Sequence, residues 1–236
     1  MIKADLHVHS CYSPDCCIPL EVIVNRCCRV GINCLALSDH NTIEGALKLK
    51  EMAPFYVIVA EEIMTNTGEL MGLFLTEEIP GGLSAEETIS RIKEQGGLVN
   101  MPHPFGRWPL DNYKKLASPE IMEQLDLIEV FNARTPLPNS SRKAYELARK
   151  YGLPGGAGSD AHTASEIGRS YVEMPEFSNA EDFLQSLSQG KINGHKSSLI
   201  VHLATTWAKV RKKQSLHHHT VLDPGKADKA ERRDIC

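Results

Sequence analysis

Residues 5–15 read DLHVHSCYSPD, and this stretch joins the end of a short apolar segment to two histidines at alternate positions. Side chains at alternate positions of a β-strand point to the same face, so His7 and His9 are expected to lie side by side. Asp15 follows in the loop after the strand. Taken alone, the pair is either half of a metal site or the ordinary polar end of a strand.

The segments beyond this first strand alternate between strands and helices. Strand-like runs cover residues 33–40, 55–65, 68–76, 97–104, 126–134 and 154–162, and helix-like runs cover residues 19–31, 42–53, 84–96, 118–125, 139–152 and 179–190. The NTG turn at residues 66–68 indicates a hairpin between the third and fourth strands. Repeated strand and helix units predict parallel strands with right-handed crossovers, and hence a closed or nearly closed α/β barrel.

Composition limits the class of protein. The chain has 236 residues, of which 42% are hydrophobic and 24% charged, and its net charge of −4 provides no general basic field for nucleic acid. The amino terminus lacks a cleavable-leader pattern, and no run approaches about 18 apolar residues, so we expect a cytoplasmic protein that does not span a membrane. Six of the seven cysteines lie in the first 34 residues, but their odd number and the absence of a CxxC pair favour reduced thiols.

The character of the chain changes near residue 203. We expect residues 1–203 to form one domain and residues 204–236 to form a charged tail that is largely disordered, because that tail is polar and lacks sustained periodicity.

Residues of metal-binding type cluster at the carboxyl ends of the predicted strands. They are His7, His9, Asp15, Asp39, His40, Glu61, Glu62, Glu69, His103, Asp160 and His162. In a parallel α/β barrel these strand ends form one rim, where active sites lie. Each residue alone has a plain structural explanation, such as a helix cap for Asp39. Five strand ends that all deliver His, Asp or Glu to one rim favour a metal centre.

The motifs at these strand ends resemble those of a known family. In order, DLHVHS, LSDHNT, VIVAEEIMT, MPHPF and GSDAH resemble the motifs of the PHP (polymerase and histidinol phosphatase) metallo-phosphoesterases, and the resemblance covers about residues 1–200. It implies an α/β fold, a distorted (β/α)7 TIM-like barrel, which agrees with the order of strands and helices.

The resemblance also implies which residues bind metal. It assigns His7, His9, Glu62 and Asp160 to a first ion, Asp15, His40 and His162 to a second, and Glu62 with Glu69 and His103 to a third. Spacing alone leaves Glu61 and Glu62 as alternatives, and the family motif selects Glu62. Many family members carry histidine in place of Glu69, so the third ion is the least certain. A carboxylate there favours manganese or iron over zinc, and we expect two or three divalent ions with manganese preferred.

The expected reaction follows from that metal set. A metal-bridging hydroxide held by His7, His9, Asp15, His40, Glu62, Asp160 and His162 would attack a phosphate monoester. Arg134, Arg107 and Asn132 are candidates for binding the rest of the substrate, since a guanidinium pairs well with a second phosphate.

The substrate class remains open at this point. Compact family members suggest a nucleotide or short oligonucleotide, such as a nucleoside 3′,5′-bisphosphate or the 5′ end of a short RNA. Histidinol phosphate is the alternative substrate, and a metal-binding regulatory module is the alternative without catalysis. We expect a small phosphorylated substrate or short RNA as partner, no membrane, and no obligatory protein partner.

Overall fold

The computed structural model describes residues 1–106, 112–137 and 139–197, which contain nine strands and seven helices. The strands are β1 (Ile2–Val8), β2 (Cys34–Leu37), β3 (Tyr56–Met64), β4 (Glu69–Leu73), β5 (Leu98–Met101), β6 (Leu127–Asn132), β7 (Gly155–Gly158), β8 (Ser170–Met174) and β9 (Lys191–Gly194). The helices are α1 (Leu20–Val30), α2 (Glu44–Met52), α3 (Ala85–Glu94), α4 (Asn112–Leu116), α5 (Pro119–Met122), α6 (Ser140–Tyr151) and α7 (Ala180–Ser188). The expected tail at residues 204–236 lies outside the described residues.

Sequence signals explain where the longer helices begin and end. Helix α1 follows Pro19 and ends at Gly31, whose φ of 73° is readily adopted only by glycine. Helix α3 begins after Ser84, whose side chain accepts a hydrogen bond from the backbone N–H of Glu87. Helix α6 ends at Gly152, which has a φ of 67°.

All nine strands join one sheet in the order β7-β6-β5-β4-β3-β2-β1-β8-β9. Strands β1, β2 and β3 are parallel, as are β5, β6 and β7, and β4 runs antiparallel between β3 and β5. The predicted hairpin between the third and fourth strands is therefore confirmed.

The β7 edge of the sheet comes back to strand β1 where the chain leaves β7. Val8 forms a parallel bridge with Ala161, the backbone N–H of Asp160 donates to the carbonyl of His7 at 2.7 Å, and that of His9 donates to the carbonyl of Ala161 at 3.1 Å. This seam nearly closes the barrel, and the prediction of a distorted α/β barrel is confirmed.

Strands β8 and β9 are not anticipated by the sequence reading, and they add antiparallel pairing beside β1. Strand β8 alternates between buried and half-buried residues over only five positions, and β9 has no fully buried residue. Helix α4, also unpredicted, is five residues long. Short elements of this kind carry little periodicity, so pairing with distant parts of the chain decides their structure.

The barrel interior is filled by small and medium apolar side chains. Ala4, Ala36, Ala60 and Ala157 belong to this interior cluster, together with Phe183 from α7. A second apolar cluster includes Ile23 of α1, Leu49 of α2, Ile89 of α3 and Leu147 of α6. Polar and ionisable residues occupy the carboxyl ends of the strands.

Two findings bear on the predicted environment of the protein. Within the described ranges, no helix is long and apolar enough to cross a membrane. Five cysteines are free thiols: Cys16, Cys17, Cys27, Cys28 and Cys34. These five agree with the prediction of reduced thiols.

Candidate metal centre

The end of β1 brings two imidazoles into direct contact. His7 and His9 are both fully buried, and their Nε2 atoms lie 3.1 Å apart. The register of β1 against β2 shifts between Asp5 and Val8, so the strand is irregular where His7 lies. Two buried imidazole nitrogens that face a common point suit a shared cation.

Glu62, at the end of β3, lies at the middle of the centre. Its Oε2 is 3.3 Å from His7 Nε2 and 3.4 Å from His9 Nε2, and its Oε1 is 2.8 Å from His103 Nε2. The carboxylate of Glu61 points elsewhere and accepts the backbone N–H of Ile79 at 3.0 Å. Of the two alternatives that spacing leaves open, Glu62 is therefore the residue brought to the cluster.

A second group forms around Asp15. Its Oδ2 is 3.2 Å from His162 Nε2 and 3.5 Å from His40 Nε2. Ser13 Oγ donates to Asp15 Oδ1 at 3.0 Å, which orients the carboxylate within its loop. A ring nitrogen of His9 also lies within 4.8 Å of the ligand atoms of Asp15, His40 and His162. His9 belongs as well to the first group, which consists of His7, His9 and Asp160, so the two groups share this residue.

The third group contains His7, Glu62 and His103. Glu69, from the start of β4, approaches it with Oε2 3.8 Å from His103 Nε2. Asn112 fixes the backbone of Glu69, since its Oδ1 accepts the Glu69 N–H and its Nδ2 donates to the Glu69 carbonyl. Glu69 thus lies at the margin of the centre.

Asp160 links the first two groups from the loop after β7. Its Oδ1 is 3.4 Å from His9 Nε2 and 3.5 Å from His162 Nδ1. Asp160 and His103 both have positive φ values, 53° and 28°, which are uncommon for residues other than glycine. Such backbone conformations persist only where surrounding contacts hold them.

A layer of buried acidic side chains surrounds these groups. Asp39 accepts both the backbone N–H and the hydroxyl of Ser10 at 2.6 Å, so it holds the loop after β1. Glu166 accepts the backbone N–H groups of His162 and Thr163. Glu129 contacts His7 at 3.1 Å.

The sequence reading missed Glu129 and Glu166. The signal for Glu129 is a single carboxylate within the apolar strand LIEVFN, because a buried charge requires partners. We find no comparable signal for Glu166.

Of the three residues predicted to bind the substrate, Arg134 and Asn132 are described by the structure, and both are buried beside acidic residues. Arg134 is buried, with Nε 3.3 Å from Glu166 Oε1 and an Nη1 that donates to the Asp160 carbonyl at 3.5 Å. The side-chain nitrogen of Asn132 donates to Glu129 and Asp160, and its Oδ1 accepts the backbone N–H of Arg134. Arg107 lies outside the described residues.

A small cavity opens beside His103. Its volume of about 10 Å³ has room for about one water molecule, and its lining includes Phe105, Asn132, Thr135 and Ser141. The cavity is lined by both aromatic and hydroxyl-bearing side chains.

The charge of the centre fits divalent cations. Asp15, Glu62, Glu69 and Asp160 bring four carboxylates into largely buried surroundings, and buried charges must be paired or coordinate metal. Burial alone lowers the pKa of His9, but hydrogen bonds to Asp160 and Glu62 outweigh it and raise that pKa to about 9. A negative potential that attracts a proton so strongly also attracts a cation.

Ring orientation in two histidines fits the same conclusion. Glu129 can only accept at His7 Nδ1, and the Asp160 carbonyl can only accept at His162 Nδ1, 2.9 Å away. Both rings therefore carry hydrogen on Nδ1, and both Nε2 atoms face carboxylates of the centre, where a cation would bind in place of a hydrogen. His9 Nδ1 is buried and has no hydrogen-bond partner among the residues described.

Comparisons with known proteins agree with the motifs and the fold. The family model of the PHP domain matches residues 5–67, and the model described as PHP-associated matches residues 138–192. The chain is 39% identical over 178 residues to the uncharacterized protein MJ0417 of Methanocaldococcus jannaschii, covering 74% of this chain and 71% of that protein. It is 43% identical over 145 residues to the uncharacterized protein MJ1587 of the same organism, covering 56% and 82% respectively.

A solved structure shares the fold. The chain aligns with a TM-score of 0.65 to a two-domain protein from Bacteroides vulgatus that contains a predicted PHP-like metal-dependent phosphoesterase. The sequence identity is 19%, and the alignment covers 82% of this chain and 65% of that one. The chain thus spans less than two thirds of that protein, and at this identity the likeness bears on the fold alone.

Proposed function

Because the chain belongs to the PHP-domain family, we propose that it is a metal-dependent phosphoesterase that hydrolyses phosphate monoesters of nucleotides or short oligonucleotides. The observation that carries this proposal is the convergence of three groups of metal-ligand side chains at one rim of the barrel. His7 belongs to two of these groups and His9 also belongs to two. Ions bound in the three groups would therefore lie side by side and could act on one substrate.

The proposed ligands are those that the family motifs imply. They are His7, His9, Asp15, His40, Glu62, Glu69, His103, Asp160 and His162. Two or three bound divalent ions, with manganese preferred, would polarise the phosphoryl group and activate water as the nucleophile. The carboxylate of Glu69, where many family members carry histidine, suits manganese or iron better than zinc.

The protein's own residues supply orientation and charge. Glu129 and the Asp160 carbonyl fix the rings of His7 and His162, so both Nε2 atoms face the centre without rearrangement. Burial of His7, His9 and Glu62 keeps the ligand atoms out of bulk water, which strengthens their electrostatic effect.

The rest of the substrate would bind beside His103. The adjoining cavity provides Phe105 for apolar contact, and Thr135 and Ser141 for hydrogen bonds to hydroxyl or phosphate groups. Arg134 and Arg107 are proposed to orient a second negatively charged group, with Arg134 acting from its position between Glu166 and Asp160. Asn132 is proposed to act with them at the same end of β6.

A substrate panel tests the proposal. The purified protein, loaded with manganese, is incubated with adenosine 3′,5′-bisphosphate, a short 5′-phosphorylated RNA and histidinol phosphate, and released phosphate and shortened RNA are measured. We expect turnover of the nucleotide or the RNA and a loss of at least about 100-fold in His9→Ala and Asp160→Asn. Thermal melting of each variant separates loss of chemistry from loss of fold.

Each outcome has a distinct meaning. Preferential hydrolysis of histidinol phosphate would reject the nucleotide substrate and retain the reaction class. Metal binding without turnover of any phosphoester would reject the enzyme and favour a regulatory module.

A further inference from the structure

Strand β6 contributes none of the nine proposed ligands, yet it carries the buried Glu129 beneath them. The Glu129 side chain is 3% exposed, and its two oxygens have different partners. Oε1 lies 3.1 Å from His7 Nδ1, and Oε2 accepts the backbone N–H of His103 at 2.7 Å. One carboxylate therefore touches two ligand residues that follow different strands and that the proposed ligand set assigns to different ions.

The contact with His7 controls where its ring hydrogen resides. A carboxylate accepts and cannot donate, so Glu129 holds a hydrogen on Nδ1, and a cation that binds between His7, His9 and Glu62 takes the place of hydrogen on Nε2. A histidine that presented Nε2–H to the same point would oppose a cation there. The Glu129 contact therefore selects the tautomer that can bind metal.

The contact with His103 holds an unusual backbone. His103 has a φ of 28°, and its buried N–H would lose its acceptor without Glu129. Strain of this kind is retained only when neighbouring contacts hold the residue in place. Glu129 thus holds the position from which the His103 ring reaches Glu62.

A third contact extends the arrangement to Asp160. Asn132 Nδ2 donates to Glu129 Oε2 at 3.1 Å and to Asp160 Oδ2 at 3.2 Å. The three ligand residues His7, His103 and Asp160 lie far apart in the chain, and Glu129 is the point at which their supports meet.

We propose that Glu129 is a positioning residue that couples His7 and His103, so that the ions these two residues bind lose affinity together when its carboxylate is removed. This inference rests on the proposed metal centre and does not depend on the identity of the substrate. Glutamine at this position has nearly the same size but replaces one acceptor oxygen with a donor. It cannot accept from both His7 Nδ1 and the His103 N–H.

The test measures manganese binding to metal-stripped protein by calorimetry and by counting bound ions. We expect Glu129→Gln to weaken binding roughly 10- to 100-fold, the range typical of partners that orient a metal-bound histidine. Glu129→Asp, which retains an acceptor-only group, should recover part of this loss. Nitrogen-15 spectra of zinc-loaded protein, in which no paramagnetic ion broadens the His7 signals, should show hydrogen on Nδ1 in the wild type and a shift toward the other tautomer in Glu129→Gln.

Glu61→Gln is the matched control, since Glu61 is also a buried glutamate but its carboxylate accepts from Ile79 rather than from a ligand. The manganese affinity of Glu61→Gln should be within about threefold of the wild-type value. His103→Ala should weaken the binding of fewer ions than Glu129→Gln does. Wild-type affinity and ion count in Glu129→Gln would overturn the inference, as would loss confined to the ion nearest His103. Wild-type protein that binds manganese but hydrolyses no phosphoester would reject the proposed function and leave this inference intact.

Discussion

Gly158, the last residue of β7, lies where the barrel seam is tightest. A Cβ atom added there would lie 2.3 Å from His7 Cβ, 2.7 Å from the His7 backbone N and 3.0 Å from Glu129 Oε1. Carbon atoms in favourable contact are about 3.5–4.0 Å apart, so Gly158→Ala must displace the backbone of β1 or β7 by about 1 Å. The two nearest atoms, His7 Cβ and the His7 backbone N, are fixed to the strand, so neither can move aside by rotation of a side chain.

The expected cost follows from that displacement. Inserting a methyl group into a packed core costs about 1–3 kcal/mol, and a clash with backbone belongs at the upper end of the range. For a chain of this size, about 3 kcal/mol corresponds to a fall in melting temperature of about 6–12 °C. Because His7 itself must move, metal affinity should fall as well.

Gly156, two positions earlier in the same strand, provides the control. A Cβ there would meet Leu127 Cδ1 at 3.4 Å and Leu6 Cδ1 at 3.5 Å, which is ordinary contact. Urea unfolding in the presence of chelator, followed by manganese titration, compares the two alanine variants. Gly158→Ala should lose at least about 2 kcal/mol more than Gly156→Ala. Equal stability and equal manganese affinity in the two variants would refute the steric reasoning.

Three further predictions concern charge and metal. Burial raises the pKa of Glu61 to about 8, with a further contribution from Glu78 and an opposing one from the Ile79 N–H. The folded protein therefore favours the protonated acid, and this stabilisation is complete below about pH 4.5 and lost as the pH rises through 8, at up to about 1.4 kcal/mol per pH unit. The free energy of unfolding, measured with urea in chelator at several pH values, should fall more steeply with pH in the wild type than in Glu61→Gln. If the two proteins gave parallel plots of this free energy against pH, the prediction would be contradicted. Manganese at about 100 times its dissociation constant should stabilise the protein by about 2.7 kcal/mol, so chelation should lower the melting temperature measurably, and an unchanged melting temperature would argue against a metal centre. Glu69→His replaces an oxygen ligand with nitrogen and should raise bound zinc relative to manganese in competition, whereas an unchanged ratio would remove Glu69 from the ligand set.

The sequence predicts the parts of the fold that local pattern determines. Apolar runs identify β1 through β7, and cap residues such as Ser84 and Gly152 mark helix ends. The short strands β8 and β9 escape notice, because their positions depend on pairing with β1 and with each other.

The same division applies to the centre. The order of the motifs predicts the candidate ligands, because each motif lies at a strand that the sequence also predicts. The supporting contacts are different: one glutamate in LIEVFN signals a buried partner without revealing that His7, 122 residues away, is that partner. Arg134 looks like a free cation in the sequence, and only the folded chain shows Glu166 beside it.

The seam between β1 and the end of β7 has a consequence for the synthesis of the protein. His7 and His9 are made more than 150 residues before the Asp160 and Ala161 backbone groups that bond to them. The complete centre cannot assemble on a nascent chain until His162 has left the ribosome, and contacts between such distant residues form slowly. Until then the two imidazoles lie without Asp160 and His162 beside them, so an ion bound by the nascent chain would have fewer ligands than in the folded protein.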